Sequence, residues 1–99
     1  MQSYYPEQFE REMGCTEAEW LRWLPAALGA HPFELSDGAA TAQLEAGCLR
    51  LRWRVDEPQR MGLIRMPRLQ LRFEFEGLNE VQRHTFMQRF DLYLQRGGG

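Results

Sequence analysis

Lysine is missing from this chain altogether, and serine, cysteine and histidine occur only twice each. Without lysine there is no Schiff-base nucleophile and no Walker-type phosphate lysine, and no G-x-G-x-x-G run stands in for it. Nucleophilic catalysis would need a serine or cysteine, a histidine and an orienting acid. Spacing alone does not forbid Cys48 acting with His31 or His84, because such groups assemble in space. Cys48, however, falls at a hairpin turn, His31 precedes a proline, and His84 lies on the wet side of a helical segment, so enzymatic activity is not expected. No C-x-x-C, H-x-x-x-H or EF-hand spacing occurs, so neither a metal nor a cofactor is expected. No apolar run approaches the ~20 residues that cross a bilayer, and Met1–Glu7 has neither a basic nor an apolar signal region. The expectation is a cytoplasmic protein without membrane contact, in which Cys15 and Cys48 are reduced packing residues.

What the chain does have is arginine, which supplies all 12 of its basic residues. Arginine suits bidentate recognition of carboxylate or phosphate, but the Ala-, Leu- and Gly-heavy composition points to a GC-rich coding sequence as the cause. The charges are polarised. Seven acids against Arg11 and Arg22 give −5 from Met1 to Asp37, ten arginines against six acids give +4 from Arg50 to Arg96, and Glu45 completes the net −2. This asymmetry favours internal pairing or antiparallel self-association over a polyanionic partner. At 99 residues, 43% of them hydrophobic, the chain makes one folded domain spanning 1–99.

The strongest local signal is Leu49–Val55, an unbroken apolar/cationic alternation. Period two makes it a half-buried strand with Leu49, Leu51, Trp53 and Val55 inward, and Arg50, Arg52 and Arg54 in a row outward, roughly 6–7 Å apart. Residues 40–46 precede it as a second strand. A two-residue turn at Gly47-Cys48 would set Ala46 against Leu49, Leu44 against Leu51 and Glu45 against Arg50. After a polar turn at Asp56–Gln59, residues 61–76 read as a third strand, with Leu69, Leu71, Phe73 and Phe75 inward and Gln70, Arg72, Glu74 and Glu76 outward. Pro67 belongs at an edge or a bulge, which lets that strand bend and reset its faces.

Helical signals flank these strands. Pro6 and Gly14 bracket two short turns, and Thr16 with Glu19 forms a capping box carrying Cys15 and Trp20 as a hydrophobic staple. Pro25 kinks or ends that helix. Asn79, with Gln82 at N3, opens the last helix, whose stripe is Val81, Phe86, Phe90, Tyr93 and Leu94, with Arg83 and His84 outside and Gly97 as the stop. The fold expected is α+β: an antiparallel sheet of three to four strands (about 40–46, 48–55 and 61–76), with N-terminal (about 6–28) and C-terminal (about 79–96) helices packed on one face. A fourth strand would be Phe33–Leu35, before the turn Ser36-Asp37-Gly38.

The candidate binding residues are Arg50, Arg52, Arg54 and Arg72 on the outer sheet face, with Glu45, Glu74 and Glu76 as internal counter-charges. The function expected is a non-enzymatic interaction module that self-associates, or meets another protein, through a sheet edge or that outer face. The alternative is a small anionic-ligand-binding protein or enzyme using a helix–sheet cleft, with Arg50, Arg52 or Arg72 holding the anionic group. Nucleic acid is a weaker one: the element order is shared with double-stranded-RNA-binding domains, but the last helix opens without a basic cluster, and Trp53 faces the core. The tail Arg96-Gly97-Gly98-Gly99 resembles the diglycine ends of ubiquitin-like proteins. Those follow a strand, whereas this one follows a helical segment and reads as a helix stop.

Overall fold

The strand that carries the alternation from Leu49 runs well past Val55 and organises the whole molecule. The computed structural model describes residues 4–98, with side chains through residue 95. Along the chain come β1 (Gln8–Met13), α1 (Glu17–Leu28), β2 (Phe33–Ser36), β3 (Ala39–Gln43), β4 (Cys48–Met61), β5 (Ile64–Glu76) and α2 (Glu80–Gly98). The strands form one antiparallel sheet in the order β1-β5-β4-β3-β2. Both helices cover one face, so the α+β class stands, with five strands instead of three or four.

Three boundaries differ from the sequence expectation. Gln8–Met13 is a strand where a helix was expected. Its inward positions are Phe9, Arg11 and Met13, opposite Phe73, Leu71 and Leu69 of β5. A six-residue helix has no stability of its own, whereas here a ready edge of β5 completes the hydrogen bonds. The β3–β4 register is also displaced. Ala42 faces Leu49 and Ala40 faces Leu51, so β3 ends at Gln43 and Leu44–Gly47 forms the loop. The shift is four residues, an even number, so every side chain keeps its face. Gly47 explains the loop: a Cβ there would collide with the Glu76 carbonyl, and its amide and carbonyl both bond Leu44. Finally, Asp56–Gln59 is no turn. Strand β4 passes through it to Met61 and reverses at Gly62-Leu63.

The core between sheet and helices is aromatic. Phe9 stacks on Phe73 at 4.7 Å, Phe73 meets Phe90 edge-on at 5.7 Å, and Trp20 meets Trp53 edge-on at 5.6 Å. Such pairs add about 0.5–1.5 kcal/mol each beyond the area they bury. The Trp53 indole donates to Glu17 at 2.8 Å, which docks the start of α1 on the sheet. The capping boxes hold: Glu19 N donates to Thr16 Oγ1 and Thr16 N to Glu19, while Gln82 N donates to Asn79 Oδ1 and Asn79 N to Gln82. Pro25 falls on the exposed side of α1, and the helix continues past it to Gly29. Helix α2 likewise runs through Gly97 to Gly98, so Gly97 does not stop it, and Gly99 lies outside the described residues.

The stripe expected on α2 holds in part: Phe90 and Leu94 are buried and Phe86 and Tyr93 pack half-buried against the core, but Val81 is exposed, and Arg83 and Met87 complete the buried face. Arg83 is only 8% exposed because its guanidinium replaces lost water with two carbonyls, donating to Tyr5 O at 2.8 Å and to Leu78 O at 2.7 Å. It thereby ties the chain entering β1 to the start of α2. Arg83→Met fills the space but leaves both carbonyls without that donor, and should cost about 1–3 kcal/mol. Urea denaturation should show a lower midpoint at unchanged m-value; an unchanged midpoint would remove this residue from the account of the fold.

Candidate functional site

Strand β1 ends opposite Leu69 and strand β3 ends opposite Arg52, but β4 and β5 continue together. From about Val55 to Arg68 they form a two-stranded arm with no further strand paired to either side among the described residues, five residues of β5 beyond Leu69, or roughly 17 Å at ~3.3 Å per residue. The molecule measures 46 × 29 × 22 Å, and the strands lie along its length. The turn at the tip is tight: Met61 faces Ile64 across Gly62-Leu63, and Gly62 takes φ 62° while no non-glycine residue has positive φ. That is the type II′ geometry, which requires glycine at the first central position only.

A bulge at the base of the arm sorts its faces. Asp56 faces Arg68 and Gln59 faces Met66, so Glu57 and Pro58 together oppose the single residue Pro67. Neither proline has an N–H to give a ladder, which places the irregularity where it costs least. Asp56 accepts from Glu57 N at 2.9 Å, and Arg68 donates to the Glu57 carbonyl at 2.8 Å. Arg68 also reaches Glu12 at 3.4 Å and Asp56 at 3.6 Å, and thus fastens the bulge to β1. The extra residue reverses the parity of β4. Met61, Ile64, Gln59 and Met66 therefore share the face that continues the outer sheet, and Arg60 and Arg65 take the other. Met61, Ile64 and Met66 are all exposed, and Leu63 at the tip stands entirely in solvent.

The edges of the arm are less open than its side chains. Phe75 N donates to Glu7 O on the β1 side, so alternation directs residues 69, 67 and 65 to that same edge. Beyond β1 that edge offers Pro67, which has no donor, and then Arg65. Proline and charge are the usual guards of a free edge.

The four candidate arginines lie on the outer sheet face, away from the helices, and none lines the hollow on the helix side. Arg50 pairs with Glu76 at 2.6 Å, and Arg72 with Glu74 at 3.0 Å, Glu10 at 3.9 Å and Gln8 at 3.3 Å. The first of these pairs holds Arg50 more firmly in its charged form. Glu45 is not the neighbour of Arg50; the observed register puts Thr41 there. Arg52 and Arg54 make no hydrogen bond or ion pair among the described residues. With Arg72, Glu10 and Gln70 they border a shallow depression of about 260 Å³.

A second concavity, about 300 Å³, lies at the opposite end of β4 and β5, between the Leu44–Gly47 loop and the first turns of α2. Leu44, Ala46, Leu78, Val81 and Phe86 make it mainly apolar, with His31, Glu45 and Arg89 among its polar walls. The cysteines stand apart from these features: Cys15 is buried, which with nearby Glu19 pushes its thiol pKa up and leaves it a poor nucleophile, and Cys48 is half-buried. Among the described residues no group of three or more His, Cys, Asp or Glu is placed to hold a metal, and no helix is long and apolar enough to cross a membrane. No family model matches the chain, and no curated protein matches it.

Asp56 has its pKa lowered, first by the Glu57 backbone hydrogen bond, then by Gln70 and Arg68. A depressed carboxyl stabilises the native arm above the ordinary aspartate pKa, and that contribution fades as pH falls through the lower, native value. Protection of the amides at Glu57 and its neighbours in the arm, taken relative to the unstructured rate at each pH, should therefore fall on acidification below the usual carboxylate range, before protection in the core of β5 does. Asp56→Ala should produce the same loss of protection at neutral pH. Equal protection in both proteins would mean that this bond does not hold the bulge.

Proposed function

We propose that this chain is a non-enzymatic interaction module that self-associates through the exposed apolar end of the β4–β5 arm. One observation carries the reading: Met61, Leu63, Ile64 and Met66 cluster at the end of a projecting ribbon, where no part of the chain covers them. Contiguous exposed apolar surface on a soluble domain marks a contact site, and methionines suit a surface that adapts to its partner. The outer sheet face fits this role less well, because its acids already neutralise Arg50, Arg68 and Arg72. Sedimentation velocity over a concentration series reaching the millimolar range should show reversible association. Leu63→Glu combined with Ile64→Glu should weaken it at least about tenfold, equivalent to ~1.4 kcal/mol, at unchanged circular dichroism. A chain that stays monomeric throughout the series refutes the reading.

A second reading rests on Arg52 and Arg54, whose guanidinium groups have no partner beside Arg72. In it, the depression on the outer face takes a small polyanion. Thermal-shift titration with phosphates, nucleotides and di- and tricarboxylic acids tests this, since a ligand at a hundredfold excess over Kd stabilises by about 2.7 kcal/mol. The shift should disappear in the Arg52→Gln, Arg54→Gln double variant; no shift with any of these compounds ends the reading.

A further inference from the structure

The two apolar features of this molecule lie at opposite ends of the same two strands. The arm ends at Met61 and Ile64, and the hollow lies where Cys48 faces Glu76, at the other end of that ladder. We infer that they are complementary halves of one contact: the arm tip of one copy seats in the hollow of the next, head to tail. This inference rests on the self-association proposed above and names its partner surface.

Size, charge and geometry support this occupant. The hollow has room for at least ten waters at ~30 Å³ each, against the eight side-chain carbons of Leu63 and Ile64. Its walls are mainly aliphatic and aromatic, which matches an aliphatic tip. The arm from Arg54 to Arg68 carries four arginines and two acids, a net +2. Arg60 and Arg65, flanking the tip, have no ion pair among the described residues. At the hollow, Glu45 likewise has none among the described residues. The one cation there, Arg89, lies over the Tyr93 ring at 4.6 Å. The partner is thus an apolar knob with cationic flanks, entering an apolar hollow with the acid Glu45 on its wall.

The contact also suits what the arm edge forbids. With Pro67 and Arg65 on the β5 edge, that side of the arm cannot readily extend a ladder into a second sheet, and its tip side chains are unhindered. A knob of four side chains buries far less than the roughly 1,600 Å² of a standard interface, so each contact is weak and sensitive to salt. Because donor and acceptor surfaces differ, the contact is heterologous and propagates into rings or open chains.

Two variants that disturb only exposed positions test this. Leu63→Asp spoils the tip, and Val81→Asp spoils the hollow while placing an acid in the first turn of α2, where the helix dipole favours it. Each variant alone should sediment as a monomer under conditions in which the parent protein associates. Mixed in equal amounts they retain one good tip and one good hollow, and should form a 1:1 dimer that grows no further, weakened at least about tenfold by raised salt. If Leu63→Asp abolishes association but Val81→Asp does not, the arm meets some other surface; the head-to-tail contact is then wrong and the self-association reading survives. If the parent protein associates and Leu63→Asp leaves this unchanged, the arm is not the contact and both fall. A parent that never associates removes both as well.

Discussion

The ladder between β4 and β5 is the constraint on which everything else depends. It runs from Cys48 opposite Glu76 to Met61 opposite Ile64 and interrupts itself only at the prolines. Its two central strands present Leu49, Leu51, Trp53, Leu69, Leu71, Phe73 and Phe75 to the helices and, as far as the bulge, a largely polar surface to the other side. A slip of one residue would bring the arginines into the core and the phenylalanines into water. The outer strands extend this ladder without altering it: β1 borrows the free edge of β5, and β3 with β2 borrows that of β4.

Closure of the helix layer depends on ties between distant parts of the chain. Arg11 sits on the inner side of β1, where it lies over the Phe73 ring at 5.2 Å and pairs with Asp91 of α2 at 2.6 Å. Tyr5 donates to the same carboxylate at 3.1 Å, and burial together with that carboxylate pushes the Tyr5 pKa upward, so its hydroxyl remains a donor. Arg83 holds the Tyr5 carbonyl from α2. The entering chain is thus gripped by three polar groups at the margin of an aromatic core, which is where polar contacts are least exposed to competition from water.

This arrangement explains which parts were legible in the sequence. The faces of residues 40–43, 49–54 and 69–76 follow from alternation alone and agree with the structure. The β3–β4 register did not follow, because the choice between a two-residue and a four-residue loop rests on the close approach of Gly47 to Glu76, a contact between segments remote in sequence. Strand β1 was hidden because Arg11 occupies an inward position and breaks the apolar alternation that Phe9 and Met13 would otherwise show. Arg83 was hidden for the same reason on α2. The turn at Gly62-Leu63 carried only one glycine as a signal, while Asp56–Gln59 had all the composition of a turn and became a bulge, because Pro58 faces Pro67. Of the candidate arginines, the outward placement and the acids Glu74 and Glu76 were legible; the absence of any partner for Arg52 and Arg54 depended on where β3 stops.

The bulge does more than accommodate two prolines. Without the extra residue, Met61 would fall on the face opposite Ile64 and Met66, and Arg60 would stand among them. With it, one face of the arm is apolar and the other cationic. Isolated two-stranded ribbons are marginal in water, so a ribbon of this length needs the clamp that Arg68 makes with Asp56, Glu57 and Glu12. The chain therefore supports, with specific ion pairs and hydrogen bonds, an extension that adds nothing to its own core and shows its apolar residues to solvent. In the assembly proposed above, side-chain contact at the tip is what offsets the cost of holding this element out from the core of the free chain.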